Sequence, residues 1–156
     1  MDLPELPSHR HIPGRTARHP DGAFDAIRSR ALRPTSSTTA LLNPAWVYGL
    51  RLLEAGFWWE THEVLETVWL NALPNSPERQ MVQGVIQLAN ATLKLEMARP
   101  NAARRLCDMA EGFVLASGRD PVMGLDVEDV LQAVRSLREG VSGQPPDGTI
   151  LYRYEI

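Results

Sequence analysis

His62, Glu63 and Glu66 are the most concentrated candidates for chemistry in the chain. His62 and Glu66 lie four residues apart, so on an α-helix their side chains share a face. A carboxylate holding one imidazole nitrogen sets the tautomer and raises the basicity of the ring. The other nitrogen is then left for a proton, a metal or a substrate. Glu63 projects from the same half of such a helix and could act as a second ligand or a general base. The nearest catalytic pattern, His-Glu-x-x-His, places two histidines on one helix face with the glutamate as base. Here Glu66 stands where the second histidine would be. One histidine with two carboxylates suits iron or manganese better than zinc. A metal-dependent, hydrolase-like enzyme using His62, Glu63 and Glu66 is therefore one reading. Bundle di-metal sites use Glu-x-x-His, and Trp59 occupies the position that glutamate would need.

The trio sits among three of the chain's four tryptophans, Trp58, Trp59 and Trp69. At 100° per residue, with His62 as zero, Glu66 falls near about 40°, Trp59 near about 60° and Trp69 near about −20°. Glu60, Val64 and Thr67 fall on the opposite face. The pattern predicts that His62 and Glu66 point inward within an aromatic stripe, where ionisable groups are costly unless paired. A second polar line, Gln83, Gln87, Asn90 and Lys94, runs along the next helix. If Gln83 and Gln87 face His62 and Glu66, the set lines a pocket for a small polar ligand under a tryptophan wall. Fully hydrogen-bonded, the same His/Glu/Gln cluster could instead fix helix packing with no ligand. The leading expectation is a buried structural network, or a small-ligand or interaction site, with Trp58, Trp59, His62, Glu66, Trp69, Gln83 and Gln87 as pocket candidates. The metal-dependent hydrolase is the alternative. No cofactor is implied on the leading reading, and a divalent metal on the alternative one.

The elements that must carry these residues read as helices. Asn43-Pro44 starts one that presents Trp46, Val47, Leu50 and Leu53 and stops at Gly56. The aromatic helix follows over about 57–72. Ser76-Pro77 opens a long one over 77–98, where Gly84 allows close approach of a neighbour. The cleanest period is at 101–117, with Ala103, Leu106, Cys107, Ala110, Phe113, Val114 and Ser117 on one face, so Cys107 reads as a packed thiol. Asp126 caps a helix over 127–140 with Val127, Val130, Leu131, Val134 and Leu137 facing inward. A shorter helix is expected from Asp21 to Ala31, and a loop at 35–39. The fold expected is an all-α, single-domain, up-and-down bundle of about five helices. An extended, proline-rich arm over 1–20 precedes the bundle at 21–140, and an extended tail over 141–156 follows. His9, His11 and His19 in the arm could take up metal adventitiously.

Composition narrows the partners. A net charge of −3 over 156 residues offers no general attraction to nucleic acid or an anionic membrane surface. No apolar run approaches the ~18 residues of a membrane helix. A single cysteine gives no internal disulfide, and the first residues lack a signal-peptide pattern. A cytoplasmic location is the expectation. The arm, together with Tyr152 and Tyr154 in the tail, suggests homo-oligomerisation by embracing a neighbour.

Gly56-Phe57-Trp58-Trp59-Glu60-Thr61-His62-Glu63-Val64-Leu65-Glu66, followed by Trp69, resembles the domain-of-unknown-function 309 family. Its motif runs aromatic, any residue, Ala or Thr, His-Glu, two residues, Glu, two residues, Trp. Gln83-Gly84-Val85-Ile86-Gln87-Leu88-Ala89 resembles the family's second motif, and the likeness covers about residues 43–115. It implies a helical bundle in which His62, Glu63, Glu66, Trp69, Gln83 and Gln87 matter, and it brings no activity with it.

Overall fold

A computed structural model describes residues 1–142, with the side chain of Ser142 left aside. Of the tail expected over 141–156, residues 143–156, with Tyr152 and Tyr154, lie outside the described residues, and Val141 and Ser142 belong to a 3-10 turn. The described residues form an all-α fold. Its helices are α1 (Asp25–Arg28), α2 (Pro44–Glu54), α3 (Trp58–Leu70), α4 (Pro77–Glu96), α5 (Pro100–Ala116) and α6 (Val127–Glu139). Short 3-10 turns occupy Ser37–Leu42 and Gly140–Ser142. The first of these falls where a loop is expected.

Local chemistry explains most of the boundaries. The Ser76 hydroxyl accepts from the Arg79 N–H at 3.1 Å, and Pro77 begins α4. The Asp126 carboxylate accepts from the N–H groups of Glu128 and Asp129, capping α6. Gly56 at φ +84° turns the chain out of α2 in the left-handed region, which costs glycine nothing. Two details differ from expectation. The helix expected from Asp21 is one turn, Asp25–Arg28, because Gly22 at φ +79° interrupts it. Asn43 precedes α2 as expected, yet its side-chain oxygen accepts from the Leu32 N–H at 3.3 Å and not from the helix.

Consecutive long helices pack on one another from α2 to α6. One core layer joins α2, α3 and α4 through Trp46, Leu52, Val64, Leu65, Val68, Met81 and Val85, all fully buried. The buried Trp46 indole donates to the Met123 carbonyl at 3.1 Å, so its polar atom is satisfied. A second layer joins α4, α5 and α6 through Leu88, Cys107, Ala110, Val134 and Leu137. Burial pushes the Cys107 thiol up to about 11, consistent with a packed side chain. Two glycines set the helix spacing. A side chain at Gly49 would collide with Leu65 of α3, and one at Gly84 would collide with Val114 of α5. Outside the core, Arg138 of α6 pairs with Asp108 and Glu111 of α5. Its hydrogen bond, with one from Arg135, holds the Glu111 carboxyl below its ordinary range.

Residues 1–20 are tied to the body. Leu3 and Leu6 pack on the first core layer. The Tyr48 hydroxyl donates to the Glu5 carbonyl at 2.9 Å. Arg10 pairs with Glu96 at the end of α4, donates to the Gly56 carbonyl, and lies over the Trp58 ring. Thus the arm closes over the start of α3.

Candidate functional site

The inward face of α3 is not the one the tryptophans mark. Its buried residues are Glu60, Thr61, Val64, Leu65 and Val68. His62, Glu63, Glu66, Trp58, Trp59 and Trp69 are half-buried. The reason is shape. Val64, Leu65 and Val68 fit the close contact with α2 at Gly49, whereas indole rings serve well at a boundary where one edge stays wet. The expected inward-pointing cluster of His62 and Glu66 is therefore corrected: the fully buried carboxylate of α3 belongs to Glu60.

The trio His62, Glu63 and Glu66 is split by the geometry. Glu63 lines a cavity of about 100 Å³ with Arg18, His19, Arg28 and Trp59, on the arm side of the helix. Trp69 lies on the α4 side, with the Arg79 guanidinium 4.0 Å from its ring centre. There a cleft of about 270 Å³ is lined by Trp69, Asn75, Arg79, Gln80, Gln83 and Phe113. Gln83 thus joins Trp69, as the pocket expectation requires of that pair. Gln87 is half-buried and accepts from the Asn90 side-chain amide at 3.5 Å. Among the described residues, His62, Glu63 and Glu66 make no hydrogen bond or ion pair with one another or with Gln83 and Gln87. Nor does any group of three or more His, Cys, Asp or Glu side chains there have the arrangement to hold a metal ion.

The polar contacts expected of His62 and Glu66 are found on the opposite face of the helix, at Glu60. Glu60 Oε1 accepts the His11 backbone N–H at 2.6 Å and His19 Nε2–H at 2.8 Å. Its side chain is fully buried and that of His19 is 8% exposed. Glu60 Oε2 is buried without a hydrogen-bond partner, an expensive arrangement for a carboxylate. Aromatic rings pack around the pair. His19 stacks on His9 at 4.6 Å between ring centres and meets Phe24 edge-on at 5.2 Å. His11 meets Trp59 edge-on at 4.8 Å. The Ala17 carbonyl accepts from both His9 Nε2 and His11 Nδ1. The arm histidines, read from sequence as adventitious, are the partners of the buried carboxylate. The one signal that could have found Glu60 is its place in the aliphatic stripe, four residues before Val64 and eight before Val68.

Fold and site define a small all-helical protein whose central helix presents an aromatic, polar surface on one side and a buried carboxylate on the other. Residues 46–106, from α2 into α5, match the family described as Domain of unknown function (DUF309). His11 and His19 lie outside the matched residues, so the partners of Glu60 come from elsewhere in the chain. No curated protein and no solved structure matches the chain. Among the described residues, no helix is long and apolar enough to cross a membrane.

Proposed function

We propose that the protein is a helical scaffold presenting a binding site for a small polar ligand on the outer side of α3, facing α4. His62, Glu66, Trp69 and Gln83 supply the contacts, and Trp58 and Gln87 border them. One observation carries the reading. Trp69 and Gln83 wall one cleft, while His62 and Glu66, half-buried in mid-helix, make none of the hydrogen bonds or ion pairs among the described residues that a structural network would require. Half-buried polar groups that fold without partners keep their hydrogen-bonding capacity for something else. Arg79, stacked on Trp69 and donating to the carbonyls of Trp69 and Ala72, stiffens that wall.

The test is a fragment screen followed by amide and indole NMR of the full chain. Binders should shift the Trp69 indole and the Gln83 side-chain amide. Combining His62→Ala with Gln83→Ala should weaken them at least tenfold while leaving the melting temperature unchanged. Binders whose shifts all map away from α3 and α4 would sink the reading.

A further inference from the structure

A third cavity, of about 350 Å³, lies between the arm, α1 and Tyr48 of α2. Its volume falls within the range of small-molecule sites. Phe24, Ile27 and arm prolines form apolar walls, and Glu5, Ser8, His19 and Tyr48 supply the polar groups. No arginine or lysine lines it.

His19 connects this cavity to the buried carboxylate. An ionised carboxylate only accepts, so His19 Nε2 carries the proton shared with Glu60 Oε1. In the neutral ring that leaves Nδ1 as an acceptor, and no protein group hydrogen-bonds to it among the described residues. The stack on His9 and the edge contact with Phe24 hold the ring at that angle. Behind it, Glu60 has both of its donors on one oxygen and none on the other. The Tyr48 hydroxyl spends its proton on the Glu5 carbonyl, so toward any ligand it too can only accept. Burial raises the Tyr48 phenol above its ordinary range, which keeps that proton in place. The cavity therefore combines acceptors, an acidic residue, Glu5, and apolar walls, with Glu60 behind His19 and no arginine or lysine.

We propose that this cavity binds a small organic cation, a protonated primary amine on an apolar body, with the Glu60-supported His19 ring as the acceptor of its N–H. The amine brings the donors and the positive charge that the site lacks, and its apolar body covers Phe24 and Ile27.

The test uses the full chain and three probes of one shape: phenethylamine, phenethyl alcohol and phenylacetate, titrated by NMR at neutral pH. The amine should bind saturably, shift the His19 ring resonances, and bind at least tenfold more tightly than the alcohol or the acid. His19→Phe, which keeps an aromatic ring in the stack but removes the acceptor, should weaken the amine at least tenfold. Ala26→Trp fills the cavity from an exposed position on α1, so it tests the site even if His19→Phe does not fold; it should abolish binding with the melting temperature retained. Absence of saturable amine binding, equal affinity for the three probes, or preference for the acid overturns the proposal. So does full amine affinity in a folded His19→Phe protein or in Ala26→Trp.

Discussion

The two flanks of α3 treat their charged residues in opposite ways. On the arm side, Glu60 is fully buried, takes two donors on one oxygen and is enclosed by His11, His19 and Trp59. Away from the buried face, His62 and Glu66 are half-buried and make no hydrogen bond or ion pair among the described residues. One carboxylate is thus woven into the packing, while the other is carried on its surface. Both lie within seven residues of one helix, so sequence distance says little about which role a glutamate plays. Removing a partner from a buried, hydrogen-bonded charge leaves the other groups unsatisfied, whereas removing a surface charge costs almost nothing.

Glu60→Ala should give the largest effect. It strands the His11 N–H and the His19 ring and opens a gap in the core, so urea unfolding should show a loss of about 3 kcal/mol. A loss below about 1 kcal/mol would mean that the arm side is no more structural than the other. Gly49→Ala comes next, because a methyl there meets Leu65 on the inner face of the same helix. Overpacking of this kind costs about 1–3 kcal/mol, visible as a lowered urea midpoint with an unchanged slope. The smallest effect is expected from His62→Ala and Glu66→Ala, each within about 0.5 kcal/mol of the parent. A loss near 2 kcal/mol at His62 would break the contrast and return His62 to a structural network.

Much of the bundle was legible in advance. The stop at Gly56, the Ser76 and Asp126 caps and the inward faces of α5 and α6 are local chemistry or simple periodicity, and the structure repeats them. The orientation of α3 was not legible. Its tryptophans are its largest apolar side chains, and its hydrophobic pattern runs most of the way round the helix. Which stripe turns inward depends on what lies opposite, and that is Gly49 on a different helix. The proline-rich arm was equally opaque. Nothing within 1–20 is periodic, and its order comes from Glu60, Tyr48, Glu96 and Gly56, each remote in sequence.

By itself, then, the sequence determined the long helices and most of their ends, because these depend on neighbours within a few residues. Only the tertiary structure decided which glutamate of α3 is buried and that arm histidines serve it. Burial and hydrogen-bond partnership are properties of the packed surface, and His19 and Glu60 meet at 2.8 Å across 41 residues of chain.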